Sequence, residues 1–424
     1  MARNVISVLA LFSALSGAIP SSPHWVDIWT AMPQLTESAN LPPVPFNSTP
    51  SIFPNTTLRQ TLRLTQPAST IRLRLSNAFG TTDLPITNVS IALPPNNTLG
   101  ISSILPSTIT PLSFDGEPSI LIPPGSLAVS DPINLPQETN TTLSIDLYLA
   151  TGQTGEDITS HPGSRTTSWM TFGEQVGNEN LTGTDLASVE HWYFLSAIEA
   201  LLPAPYHSCA ILGDSITDGR GSDTDENNRW PDLLLPILHH NPTLNKISLL
   251  NQAAGGNRIL HDGLGPNLLS RIDRDVLAHS AVTHAIVFEG VNDIGTASND
   301  TTTQQMTGDR IIRAYRQIIT RLHAAGIKVF GATITPFGTP ANATVVQPYS
   351  DPERERTRQR VNGWIRGGDR DAGGFDGVVD FDAMVRSESD PGVLRSEFDS
   401  GDHLHLNPRG YEAMARGFPV GLFE

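Results

Sequence analysis

The sequence predicts a chain in two parts. An N-terminal antiparallel β-sandwich or jelly-roll-like half comes first, and an α/β half with a parallel sheet covered on both faces follows. Three observations carry this prediction. Apolar and polar residues alternate along much of residues 25–200, the period of strands with one face in a core. From residue 205 onward, short all-apolar runs alternate with segments of helical spacing, as buried parallel strands and their covering helices require. The chain has 424 residues, of which only 17% are charged. It is long enough for more than one core and unlike a disordered polymer.

In the first part, Leu58, Leu62 and Leu64 share one parity, with Arg59 and Arg63 between them. Ile71, Leu73 and Leu75 alternate with Arg72 and Arg74; Leu143, Ile145, Leu147 and Leu149 alternate with Ser144, Asp146 and Tyr148. The polar set is expected to face water. Turn residues at Asn77-Ala78-Phe79-Gly80, Asp115-Gly116 and Pro123-Pro124-Gly125 punctuate the runs. The pattern changes across Leu201-Leu202-Pro203-Ala204-Pro205, which separates a β-rich domain (25–203) from a second domain (205–424). There Cys209–Leu212, Ile247–Leu250, Ala285–Phe288, Val329–Ile334 and Val378–Phe381 read as five strands. Ile311, Ile312, Tyr315, Ile318, Ile319 and Leu322, three and four apart, mark one intervening helix, and Glu353 to Ile365 another.

Lys and Arg number 27 against 43 Asp and Glu, a net charge of −16. That balance argues against nucleic acid as the main partner, because phosphate binding needs clustered cations. It argues equally against stable membrane association through a basic face. The single cysteine, Cys209, leaves no intramolecular disulfide framework and no cysteine zinc site; in its apolar strand it reads as a small buried hydrophobe.

The N-terminus reads as an address. Arg3 precedes the apolar run Val5 to Phe12, and small residues follow at Ser13, Ala14, Ser16, Gly17 and Ala18. This is the pattern of a secretory signal peptide over residues 1–20, cleaved near Ala18 to Ser21. The run falls short of the roughly 20 apolar residues a membrane span takes. Asn-x-Ser/Thr sequons stand at Asn47, Asn55, Asn88, Asn96, Asn140, Asn180, Asn299 and Asn342. Their concentration before residue 185 suits an exposed, glycosylated region of an extracellular protein.

Four stretches have chemical content, and all lie at or beyond the carboxyl ends of predicted parallel strands, where such sheets bind ligands. Gly213-Asp214-Ser215-Ile216-Thr217-Asp218-Gly219 follows the first strand. Its serine is either a nucleophile whose own N–H faces an oxyanion at a helix N-terminus, or a turn residue capping that helix. Asn251-Gln252-Ala253-Ala254-Gly255-Gly256-Asn257-Arg258 follows the second. A glycine there can present a bare main-chain N–H or simply make the turn, and the absence of a following Lys excludes a phosphate loop. Glu289-Gly290-Val291-Asn292-Asp293 ends the third; Asn292 offers an uncharged N–H donor or begins a loop. Asp402-His403-Leu404-His405 precedes a helix near Asn407-Pro408. Asp402, three residues before His405, can orient the imidazole, whereas His403 lacks that spacing. A capping loop or a pair of metal ligands are the alternatives there.

Together these supply a nucleophile, oxyanion donors and a base with its orienter. They resemble the SGNH (GDSL-type) hydrolase family, whose four blocks carry Ser, Gly, Asn and His. Gly213-Asp214-Ser215-Ile216 matches the first block with Ile in place of Leu, and Gly256 the second, with Gly255 leaving the register open. Gly290-Val291-Asn292-Asp293 matches the third block and Asp402 to His405 the last. Arg229-Trp230-Pro231-Asp232 and Gly290 to Gly295 resemble a branch containing xylan and other carbohydrate esterases. The N-terminal half is similar, more loosely, to the β-rich region preceding the hydrolase in many secreted members.

The resemblance implies a flavodoxin-like three-layer α/β/α domain and ester hydrolysis through an acyl-enzyme. Ser215 would attack, His405 would carry the proton, and Asp402 would hold its ring. Ser215, Gly256 and Asn292 would form the oxyanion hole, with no metal or organic cofactor. Candidate substrate contacts are Asp214, Arg258 and Trp230. Core packing is the other reading of Trp230, and a solvated loop that of Arg258 and its neighbour His261. The expected activity is a secreted serine esterase removing acyl groups, acetyl among them, from polysaccharide or sugar. A lipase or general acylhydrolase is the alternative within enzymes, and a non-catalytic carbohydrate-binding protein the alternative outside them.

Overall fold

A computed structural model describes residues 22–135, 142–367 and 373–424. The expected signal peptide over residues 1–20 and the sequon at Asn140 lie outside the described residues. No helix among those described is long and apolar enough to cross a membrane.

Two large antiparallel sheets, with three small ones beside them, build the N-terminal half. In one, β1 (His24–Thr30) pairs with the late strand Leu195–Leu202, which pairs with Thr70–Ser76. In the other, Thr56–Arg63 lies between Ser168–Phe172 and Thr142–Leu149, and Asn88–Ala92 follows outside. Leu58, Leu62, Leu143, Ile145 and Leu147 from the second sheet meet Val26, Ile28, Ile71, Leu73 and Ile198 from the first in one core. Burial of these branched side chains, about 25 cal/mol per Å² of apolar surface, drives the pairing.

The polar faces do not meet water as the alternation predicts. Arg59 and Asp146 are cross-strand neighbours and fully desolvated, 0% and 2% exposed. Their bidentate pair, 2.7 and 2.8 Å, lies under two loops whose Ser102, Asn178 and Glu179 carbonyls take the remaining guanidinium protons. On the first sheet, Arg72 and Arg74 converge on buried Glu199, because that face packs against the α/β half at Ala278 and Ser280. A period-two pattern records which side chains are apolar, and it is silent on what later folds over the other face.

The second half follows after four residues. Five parallel strands form its sheet: β2 (His207–Gly213), β3 (Ile247–Ala253), β4 (Val282–Phe288), β5 (Lys328–Ala332) and β6 (Gly377–Val379), in spatial order β3-β2-β4-β5-β6. All five contain the runs predicted for them or end within two residues of them. Helices cover the sheet, among them α1 (Ser215–Asp218), α2 (Trp230–His240), α3 (Val291–Thr296), α4 (Thr301–Ala324), α5 (Pro352–Gly367) and α6 (Pro408–Gly417). The predicted stripe of α4 is buried at Ile311, Tyr315, Ile318, Ile319 and Leu322. A separate apolar core runs from Cys209 to Phe423, and Cys209 is wholly buried in it.

Candidate active site

The central strand β2 ends at Gly213, and Asp214 caps α1 by accepting the Ile216 N–H at 3.0 Å. This sharp strand-to-helix turn leaves Ser215 as the first residue of α1. There the helix supplies no acceptor for its N–H and the dipole favours negative charge. Ser215 Oγ lies 2.7 Å from His405 Nε2, and His405 Nδ1 lies 2.6 Å from Asp402 Oδ2. The other carboxylate oxygen, Oδ1, accepts the main-chain N–H of His405 at 2.8 Å and of Leu404 at 3.1 Å. An ionised carboxylate only accepts, so Nδ1 carries the imidazole proton and Nε2 faces the serine with its lone pair. Burial raises the Asp402 pKa, but the hydrogen bonds and charge of His405 outweigh it and hold the group below the usual carboxylate range. His403 is turned elsewhere, to Asp399.

The two remaining blocks converge on the same serine. Gly255 N–H is already taken by Asp218 Oδ2 at 3.0 Å, whereas Gly256 N–H has no acceptor among the described residues. Of the two adjacent glycines, Gly256 is thus the one whose N–H is free to meet a ligand. Gly256 has φ +70°, and a Cβ there would sit 2.7 Å from Leu264, so only glycine fits the position without strain. Asn292, on α3, donates one Nδ2 proton to Asn257 O at 2.9 Å, and its Oδ1 accepts from Tyr349 Oη at 3.1 Å. With the amide oriented by both partners, its second N–H remains for a ligand. Asp293 beside it accepts from Ile259 and Leu260 N–H at 2.8 and 2.9 Å, fastening the glycine loop to α3.

These groups open onto a cleft of about 440 Å³. Ser215, Gly256, Asn292 and His405 line it from the α/β half. The β-rich half supplies the facing wall, including Gln34, Glu37, Asn40 and Arg165. Residues 211–413 match the family model described as GDSL-like Lipase/Acylhydrolase. They form a GDSL-like lipase/acylhydrolase domain. The chain is accordingly a carboxylic ester hydrolase.

Among solved structures, this chain is similar to an acetyl xylan esterase from Geobacillus stearothermophilus, with 18% identity over 52% of this chain and 97% of the other, TM-score 0.38. Another acetyl xylan esterase shares 20% identity over 50% and 96%, TM-score 0.36. A GDSL-like lipase from Bacteroides thetaiotaomicron shares 16% over 51% and 87%, TM-score 0.33. No curated protein matches.

Three expected substrate contacts of the GDSL domain are corrected by its geometry. Trp230 is 0% exposed, stacked on Phe418 and set edge-on to Phe381, with its indole N–H on Thr217 Oγ1. It is a core residue tying α2 to α1. Asp214 is buried beneath the serine as a helix cap. Burial, together with nearby Asp293 and Asp218, pushes its pKa up to about 7. Arg258 bends back to Asp262 O in its own loop and to Thr296 Oγ1 at the end of α3, and does not line the cleft. His261 beside it meets Arg310 instead.

Residues that sequence reading did not single out include Tyr349, Arg165, Arg220 and Leu404, all on the cleft wall. Tyr349 sits in a loop with no local motif. Arg165 belongs to the other half altogether, where only tertiary structure brings it near Ser215. Asp218, in contrast, was visible as an acid one turn after the serine.

Proposed function

We propose that this chain is a secreted serine esterase that removes acyl groups, acetyl above all, from polysaccharide or sugar through an acyl-enzyme on Ser215. The observation that carries the reading is the unbroken hydrogen-bonded line from Ser215 Oγ through His405 to Asp402, opening on a cleft with unspent N–H donors. Ser215 Oγ attacks the ester carbonyl as His405 Nε2 takes its proton. Negative charge on the carbonyl oxygen is met by the N–H groups of Ser215 and Gly256 and by the Asn292 amide. The ester C–O bond then breaks, and His405 returns the proton to the departing alcohol. Water, deprotonated by His405, attacks the acyl carbon; the acid leaves and Ser215 recovers its proton.

The carbohydrate reading is supported by the cleft's walls. Gln34, Glu37, Asn40, Arg165 and Arg220 offer donors and acceptors suited to hydroxyl groups. A long acyl chain would need a continuous apolar wall, and Leu264 and Leu404 are the leucines in the lining. Export is supported by the apolar run after Arg3 and by sequons whose asparagines are exposed at Asn55, Asn96, Asn180, Asn299 and Asn342. Asn47 and Asn88 are partly covered.

Hydrolysis of a panel tests the reading: acetylated xylan, acetylated monosaccharides and p-nitrophenyl esters of rising chain length. Acetyl esters are expected to be the best substrates, and Ser215→Ala inert on all of them. A strong preference for long acyl chains would overturn the carbohydrate assignment, and an active Ser215→Ala the nucleophile. Secretion of the full chain with an endoglycosidase-sensitive mass checks the export reading.

A further inference from the structure

One buried histidine of the β-rich half reaches the catalytic turn. His161 ends the strand Thr159–His161, is 4% exposed, and lies nearly parallel to the Trp192 ring. Its Nδ1 lies 2.9 Å from Met32 O and its Nε2 2.9 Å from Asp218 Oδ1. The ring thus bridges a main-chain carbonyl of its own half and the carboxyl group of the catalytic turn. The second oxygen of that carboxylate holds Gly255 N–H at 3.0 Å, one peptide from the Gly256 N–H. The contact is close enough to restrict the neighbouring backbone: a Cβ on Gly163 would lie 1.8 Å from Asp218 Oδ2.

We propose that His161 is a positioning residue. Through Asp218 it fixes the Gly255–Gly256 turn, and with it the direction of the Gly256 N–H. The β-rich half is thereby part of the catalytic device, since the group that sets one oxyanion donor belongs to it. The inference rests on the oxyanion role given to Gly256 above. It explains why Asp218, buried at the end of a four-residue helix on the floor of the cleft, is an acid: a neutral hydrophobe would leave His161 Nε2 and Gly255 N–H unpaired.

The test is steady-state kinetics on p-nitrophenyl acetate with the full chain. His161→Leu is expected to lower kcat by about 10–100-fold, the scale of a misplaced catalytic group, with KM unchanged and the fold intact by circular dichroism. His161→Gln, whose amide can still donate to Asp218, is expected to recover most of that loss. Gly163→Ala, which displaces Asp218 without touching His161, is expected to lower kcat in the same way, and it decides the matter should His161→Leu fail to fold. Thr167→Val cuts a neighbouring tie between the halves, Thr167 Oγ1 to Asp225 Oδ2 at 2.8 Å, and is expected to leave kcat alone. The inference falls if folded His161→Leu and Gly163→Ala keep wild-type kcat, or if Thr167→Val lowers it as much as they do. Ser215→Ala separates the two levels: an inert Ser215→Ala alongside unaffected His161 and Gly163 variants sinks only this inference. An active Ser215→Ala sinks the mechanism beneath it.

Discussion

Asn292 must serve two directions with one amide. Its Oδ1 and one Nδ2 proton are held by Tyr349 and Asn257, and that double anchorage aims the free N–H. Removing the tyrosine hydroxyl leaves the amide oxygen unpaired and free to flip, which would turn an acceptor toward the oxyanion. Tyr349→Phe is therefore expected to lower kcat by about 3–10-fold with little change in KM, a fraction of what losing a donor outright costs, roughly 10²–10³-fold for Asn292→Ala. Asp402 acts through a proton's location rather than through contact with substrate. Asp402→Asn would present an N–H or a weaker acceptor to His405 Nδ1 and favour the wrong tautomer, with an expected loss of about 10⁴-fold in kcat, as in other triads. The same kinetic panel reads all three variants, and Asp402→Asn should keep the wild-type melting temperature within a few degrees.

Beneath the cleft, one short helical segment does the joining. Arg271, fully buried, donates to Gln252 O at 2.6 Å and Gly213 O at 3.4 Å and pairs with Glu289 at 3.4 Å. One guanidinium thus ties together the ends of β2, β3 and β4, from which the Ser, Gly and Asn blocks emerge. It also faces Asp275, which Arg274 pairs from its other side, with Asp214 and Asp293 nearby, and the buried acids outnumber the cations that reach them. Burial pushes Glu289 up to about 8 and Asp293 up to about 6. A carboxyl raised in the folded state keeps a proton the unfolded chain releases, so stability falls as pH rises between the unfolded and folded values. Burial lowers His284 to about 4, which works oppositely but only below its ordinary 6.5. Between pH 6.5 and 8 the carboxyls dominate, and the melting temperature is expected to fall with pH. Glu289→Gln should flatten that fall; an unchanged slope would exclude Glu289 as its source. Nothing in a sequence window announces this device. The apolar runs of β2 to β6 were legible because each is a local pattern, and the four blocks because each sits at the end of one. Arg59 and Arg72 were expected to face water because the chain that covers them lies far away in sequence, and of the two readings of Trp230 the fold bears out core packing.

At the scale of the molecule, the two halves are joined by buried polar bonds rather than by a passive seam. Asp27 of β1, fully buried, accepts from Ser280 N–H at 2.6 Å and faces His279 Nδ1 at 2.9 Å, while its carbonyl accepts from Ser208 Oγ at 2.9 Å. Gln66 donates to Ile247 O at 2.9 Å, and Glu199 takes the hydroxyl of Ser280. Each donor would be stranded if one half opened while the other stayed folded, and a stranded buried group costs about 1–3 kcal/mol. The halves are therefore expected to unfold together, in one denaturant transition seen alike by tryptophan fluorescence and by loss of esterase activity. Asp27→Ala leaves Ser280 N–H and His279 without their acceptor. It should lower the midpoint by an amount equivalent to about 3–5 kcal/mol while sparing kcat below the transition, because Asp27 does not line the cleft. Two well-separated transitions in the wild-type chain would show that each core stands alone, and the cleft between them would then be a docking of independent domains.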